Sequence, residues 1–357
     1  MLDVSTKGIT TMRMLKRRFK GSFILVTAGM VLNGVAAEVP ANGEGKAAAS
    51  IAGSAVSSEP VKKVQAAKSQ AAQKPKRKKA ERLAPTFADV AYDVHERTVL
   101  DFWQAEGTGP RPLHVFIHGG GWIQGDKNSC KAPETYLKKG ISVAAINYRL
   151  SGTDPLPVPV HDAARAVQFL RHKAKDWNID PSKFVVSGGS AGGCTSLLLA
   201  CLDDMADSDS EDPVARESTR VQGAAVAGAQ TAIDPKLIEP WIGPNVLHAM
   251  IYMAVGEDSS EAAIKNYEKH EKLYKQFSSY YHISSDDPPL YLGYNANMSL
   301  PSKSFGHGIH HGMFGVKLKE KAESVGHKQV HLSIKGTDET KDYSSRDDFI
   351  FKRLLAK

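Results

Sequence analysis

Two short stretches carry the residue types that acyl transfer needs. His118-Gly119-Gly120-Gly121-Trp122 follows the apolar run Leu113 to Ile117, and Gly188-Gly189-Ser190-Ala191-Gly192-Gly193 follows Phe184-Val185-Val186. The second matches G-x-S-x-G where an expected strand meets an expected helix, the setting of a strained turn that lifts a serine hydroxyl above a sheet. Its glycines let neighbouring backbone approach where a Cβ would not fit. The first stretch supplies backbone N–H groups free to point at a developing oxyanion. With Ser190 placed 72 positions after His118, the pair points to nucleophilic catalysis through Ser190.

These stretches resemble those of α/β-hydrolase carboxylesterases related to hormone-sensitive lipase and to bacterial feruloyl and acetyl-sugar esterases. The resemblance runs from about Ala91 to Leu355 and extends to Asn147-Tyr148-Arg149-Leu150, His161-Asp162-Ala163-Ala164 and Asp287-Pro288-Pro289. It implies an oxyanion hole built from the N–H groups of Gly120, Gly121 and Ala191; Trp122, beside that hole, is expected to pack the pocket wall. It also implies a serine nucleophile whose acid follows the seventh strand and whose histidine follows the eighth.

The elements that must position these residues follow from apolar patterning. Val94 to Trp103 alternates and suits an outer antiparallel strand or hairpin. Leu113 to His118 and Ile141 to Asn147 are continuous apolar runs of the parallel, doubly covered kind. Phe184 to Ser187, Val221 to Gly228, Leu290 to Gly293 and Gln329 to Ile334 read as further strands. His161 to Lys175, Ala191 to Leu202, Met313 to Val325 and Ser345 to Leu355 read as helices. The alternation predicts a doubly wound, mostly parallel sheet with helices on both faces, which the resemblance makes an α/β-hydrolase fold. Ile238 to Ser285 is a long helical insertion between strands 6 and 7, expected to shape the substrate pocket.

A serine nucleophile needs a base, and the base needs an orienting group. Both family positions depart from pattern: Tyr294-Asn295-Ala296-Asn297-Met298 follows strand 7 without an aspartate, and no histidine occurs beyond His331, which lies mid-strand. The notable substitutes are His310 and His311 in Gly306-His307-Gly308-Ile309-His310-His311-Gly312, just before a helix whose N-terminus disfavours imidazolium. Either can serve Ser190, or the pair can line the acyl pocket. His118 reads as a structural member of its loop, His161 as packing or capping, and His248 and His282 as residues in or beside the insertion. Asp234, delivered after strand 6, is the candidate acid; Asp286 and Asp287 precede their strand and read as turn formers. No carboxylate or cysteine stands at ligand spacing to the histidines, so neither metal nor cofactor is expected.

At 357 residues and 41% apolar content the chain can bury a large core. Its net charge of +7 is unevenly spread: residues 1–86 hold 16 Lys and Arg against 5 Asp and Glu, and the remainder holds 30 against 34. A nucleic-acid footprint needs a basic face on the folded part, and none is visible. Met12 to Lys20 is basic, Gly21 to Ala37 is apolar and ends Val35-Ala36-Ala37, the layout of a secretory signal, residues 1–37. Asn33 interrupts a stretch already short for a membrane span. Residues 38–86 read as a disordered basic linker and 87–357 as the hydrolase domain. Cys194 and Cys201 are seven apart on one helix face and read as small core residues, with Cys130 in a loop; three cysteines make no disulfide framework.

The expectation is a secreted or envelope carboxylic-ester hydrolase acting on short-acyl or polysaccharide-linked esters. The alternative is a binding protein that kept the hydrolase shell and lost the strand 8 histidine.

Overall fold

A computed structural model describes residues 82–337 and 342–356, all of them in the second of two units, Met1–Pro75 and Lys76–Lys357, into which the chain divides. The expected signal and all of the expected linker before Arg82 lie outside the described residues. Arg82 to Thr86, expected as linker, lie along the sheet: Trp103 donates its indole N–H to the Leu83 carbonyl and Arg82 pairs with Asp101.

The strands are β1 (Phe87–Ala91), β2 (Val99–Trp103), β3 (Arg111–Ile117), β4 (Ser142–Ile146), β5 (Ile179–Gly189), β6 (Ala224–Ala227), β7 (Leu290–Tyr294) and β8 (Val330–Ile334). They form one sheet in the order β1-β2-β4-β3-β5-β6-β7-β8. β2 pairs antiparallel to β1 and β4, and every pair from β3·β4 to β7·β8 is parallel. Every residue of β4 is buried, as a strand covered on both faces requires.

The α-helices are α1 (Pro133–Leu137), α2 (Val158–His172), α3 (Ala191–Cys201), α4 (Pro235–Ile242), α5 (Ala249–Met253), α6 (Ser260–Lys265), α7 (Tyr267–Gln276), α8 (Ser279–His282), α9 (Phe305–Ile309), α10 (Met313–Ser324) and α11 (Arg346–Leu355). α1 and α11 close one face of the sheet around Val143, Val185, Ala225 and Phe349. α2, α3 and α10 close the other, in the larger cluster built on Leu113, Val115, Ile146 and Val186. α3 is buried on every side, so its run Thr195-Ser196-Leu197-Leu198-Leu199 has no polar face. α4 to α8 make up the expected insertion between strands 6 and 7.

The sequence expectation differs most in two places. Val94 is fully exposed and the second strand begins only at Val99, because Glu96-Arg97 belongs to a turn closed by Thr98 N–H on the His95 carbonyl. The His307 segment, expected only to precede a helix, itself forms the short helix α9, with Ser304 capping its N-terminus. Arg149 and Asp162, both in resemblance motifs, form a two-pronged ion pair at 2.6 and 2.9 Å that ties the chain after β4 to α2. The three cysteines are buried and unbridged.

Candidate active site

β5 ends at Gly189 and α3 begins at Ala191, which leaves Ser190 alone to reverse the chain. It does so at φ +53° and ψ −127°, a region a residue with a side chain occupies only when its surroundings over-determine it. The surroundings are specific: Ser190 N–H donates to the Ala227 carbonyl at the end of β6, and its own carbonyl accepts from Cys194 N–H at the start of the helix. Gly192 is required on the helix side, since a Cβ there would overlap the carbonyl oxygens of Ile117 and His118.

Those carbonyls begin the HGGG loop, so the elbow and the loop are pressed together backbone to backbone. Gly120 turns at φ +103°, and a Cβ on it would overlap the Gln124 carbonyl. Among the described residues, the N–H groups of Gly120, Gly121 and Ala191 donate to nothing, while the Gly120 carbonyl accepts from Ile123 and Gln124. Three unbonded donors beside a strained serine are what an oxyanion hole consists of before substrate arrives.

Three side chains hold the loop. Trp122 is fully buried and donates its indole N–H to Thr195 Oγ1 at 2.9 Å, so it pins the loop to α3 and does not line the cavity that opens on Ser190. That corrects the expectation of a pocket-wall role: the large ring fills the gap between loop and helix. His118 stacks on Tyr148 at 4.2 Å and directs Nδ1 at the Gly119 carbonyl, 2.7 Å away. Burial pulls its pKa down to about 4. Arg97 reaches the same corner, donating to the carbonyls of Tyr148 and Gly125.

The imidazole that meets the serine is that of His310, with Nε2 2.9 Å from Ser190 Oγ. Its Nδ1 lies 2.9 Å from the carbonyl of Gly306, one helical turn back. A carbonyl only accepts, so Nδ1 carries the proton and Nε2 presents a lone pair to the serine hydroxyl. His310 terminates α9 as its C-cap residue, so the expected helix N-terminus is not at its ring.

That N-terminus belongs to His311, whose Nδ1 accepts from Met313 N–H at the start of α10. Its Nε2 faces the Ser299 carbonyl at 3.4 Å, and the ring is buried away from Ser190. Burial lowers its pKa, as an accepting cap requires. The two adjacent histidines thus divide between contact with the serine and helix capping.

Nor does the structure bring Asp234 to the imidazole. It is the N-cap of α4: Oδ1 accepts from Lys236 N–H, and Oδ2 from the hydroxyls of Tyr267 and Tyr281 at 3.1 and 2.8 Å. Its lone pairs are occupied inside the insertion, which explains an aspartate at that point without catalysis. The group facing Nδ1 is a backbone carbonyl, which no inspection of side-chain types could have found; the Gly306 to His310 spacing of one helical turn was its only trace.

The remaining histidines sit elsewhere. His248 caps α5 through Nδ1 to Met250 N–H, and its pKa is lowered by burial and by nearby His310. His161 and His282 border a separate cavity of about 700 Å3 with Cys201 and Phe277. His331 lies mid-strand beside Tyr343 and Asp342. The cavity opening on Ser190 and His310 has a volume of about 820 Å3 and runs past Gly228, Tyr294 and Asn295 towards the start of α11. No cluster of His, Cys, Asp and Glu among the described residues is arranged to hold a metal ion. No described helix is long and apolar enough to cross a membrane.

The BD-FAE family model matches residues 100–297. Among curated proteins, the chain is 28% identical over 218 residues to the probable carboxylic ester hydrolase LipM of Mycobacterium tuberculosis, covering 59% of this chain and 48% of the relative. It is 32% identical over 127 residues to the versiconal hemiacetal acetate esterase of Dothistroma septosporum, covering 33% of this chain and 38% of that protein. The chain therefore spans less than half the length of either. Among solved structures, a truncated carbohydrate esterase from gut microbiota superposes with a TM-score of 0.56 at 20% identity, covering 70% of this chain and 86% of that one. That likeness is one of fold.

Proposed function

The chain belongs to the BD-FAE family, and from that premise we propose that it is an exported carboxylic-ester hydrolase working through an acyl-Ser190 intermediate. The observation that carries this reading is the 2.9 Å contact between His310 Nε2 and Ser190 Oγ, made at a strained elbow beside three unbonded N–H groups. His310 takes the hydroxyl proton as the oxygen attacks the ester carbonyl. The imidazolium that forms keeps its Nδ1 proton on the Gly306 carbonyl. The oxyanion collects hydrogen bonds from Gly120, Gly121 and Ala191, each donor worth about 3 kcal/mol of barrier. Collapse expels the alcohol, which takes the proton from Nε2; water then enters by the same route and releases the acid.

The names of the relatives support ester hydrolysis, and the carbohydrate esterase among the structural neighbours agrees with short-acyl or sugar-linked esters. Export rests on the basic, apolar and small-residue order of Met12 to Ala37. A non-catalytic binding role draws on one observation, that His310 Nδ1 faces a carbonyl where a carboxylate is usual. Labelling with a fluorophosphonate probe separates the two. Wild-type protein labels at Ser190, and Ser190→Ala does not while keeping its melting temperature; an unlabelled wild type leaves the binding role standing.

A further inference from the structure

The cavity at Ser190 continues past the serine, across the ends of β6, β7 and β8, to the first turn of α11, where Lys335, Ser345 and Arg346 line its far wall. Three strand spacings of about 4.8 Å put Lys335, just after β8, about 14 Å from the end of β5. That length admits a whole acyl chain or one sugar ring beyond the scissile bond.

Among the described residues the far wall carries two cations, Lys335 and Arg346, and one carboxylate, Asp347, within a domain whose composition is mildly acidic. Arg346 opens a ten-residue helix, the position where the helix dipole opposes a positive charge, so nothing in the helix itself calls for it. Its Nε is buried and makes no hydrogen bond among the described residues. The nearby carboxylate oxygen, Asp347 Oδ1, stands 3.8 Å from it and is already engaged by the Tyr136 hydroxyl at 2.8 Å. Asp347 is also the one carboxylate among the described lining residues. The Nε–H, buried and without a hydrogen bond among the described residues on a side chain that otherwise reaches the surface, is a donor free to meet something that binds.

We propose that this wall seats a carboxylate carried by the ester substrate, so that the enzyme selects esters bearing a negative charge remote from the scissile bond. The inference rests on the hydrolase reading above and adds a substrate class to it. The carboxylate belongs either to the acyl group, as in a hemi-ester of a dicarboxylic acid, or to the alcohol, as in an acylated acidic sugar.

Matched pairs distinguish the sources. In the acyl arm, 4-nitrophenyl hemi-glutarate and hemi-suberate are compared with 4-nitrophenyl butyrate and octanoate. In the alcohol arm, acetate release from O-acetylated 4-nitrophenyl glucuronide is compared with the acetylated glucoside. The expected result is a preference of about tenfold or more in kcat/KM for the anionic member of at least one arm. It should shrink with added salt and fall about tenfold in Arg346→Met, through KM. Lys335→Met, at an exposed site, should lower the ratio about threefold and guards against a folding failure in the first variant. Equal or better turnover of the neutral member in both arms overturns the proposal, as does an unchanged ratio in Arg346→Met. If no ester is turned over, the hydrolase reading fails by itself. The seat is then judged by calorimetry of Ser190→Ala with 4-nitrophenyl hemi-glutarate: saturable binding abolished by added Arg346→Met sustains it, and no binding sinks it.

Discussion

The imidazole of His310 and the hydroxyl of Ser190 meet at 2.9 Å although 120 positions separate them, the serine at the end of β5 and the histidine at the end of α9. The neighbouring ring, His311, turns into the protein to cap α10. His310→Ala should therefore lose about 10³-fold or more in turnover of an activated ester. His311→Ala should lose less than about tenfold, with about 1 kcal/mol of stability gone with the cap. Steady-state kinetics and denaturant melts of both variants check this; equal kinetic losses would mean the two rings share the chemistry.

Asp234→Ala separates the structural from the catalytic reading of that carboxylate. It removes a helix cap and the acceptor of two tyrosine hydroxyls. Unfolding free energy should fall by about 2–4 kcal/mol, while turnover of the folded fraction stays within about threefold. A loss of about 10²-fold or more in turnover at full folding would make Asp234 part of the proton relay after all.

Thr195→Val tests the anchor of the loop that carries Gly120 and Gly121. It leaves the buried Trp122 N–H without its partner, at a cost of about 1–3 kcal/mol. On the proposed mechanism the loop carries donors whose bonds strengthen in the transition state, so kcat should fall more than KM rises. A variant changed in stability alone would show that the anchor does not set the position of Gly120 and Gly121.

Acid should destabilise the fold before its carboxylates titrate. Burial pulls His114 down to about 3 and His118 to about 4, against an unfolded value near 6.5. The unfolded chain takes up these protons first, so the stability they contribute is present above pH 6.5 and is lost as pH falls towards 4 and then 3. Each group should contribute about 1.4 kcal/mol per pH unit over its window. Denaturant melts at pH 7, 6 and 5 should show the slope, to which the lowered His161, His248, His311 and His331 add, and His114→Gln should reduce it measurably; an unaltered slope places the proton uptake elsewhere.

The elbow, the HGGG loop and the α/β-hydrolase sheet were legible in the chain itself. Local rules write them: a serine forced to positive φ needs glycines around it, and strands buried on both faces need unbroken apolar runs such as Val143 to Ile146. The placing of Ser190, Gly120, Gly121 and Ala191 in one corner follows from those rules and the parallel order of β3 and β5. What only the tertiary structure decided is how rings and carboxylates turn. His310 and His311 are chemically identical neighbours, and one faces Ser190 only because α9 ends between β7 and α10 at the angle that it does. Asp234 stands after a strand end near the site, yet tyrosines from α7 and α8 claim one of its oxygens and the first turn of α4 the other. Trp122 directly follows Gly120 and Gly121, and Thr195 of α3 draws it inward. The partner of His310 Nδ1 is a main-chain carbonyl, a group every residue owns, so only the path of the backbone can say which one is used.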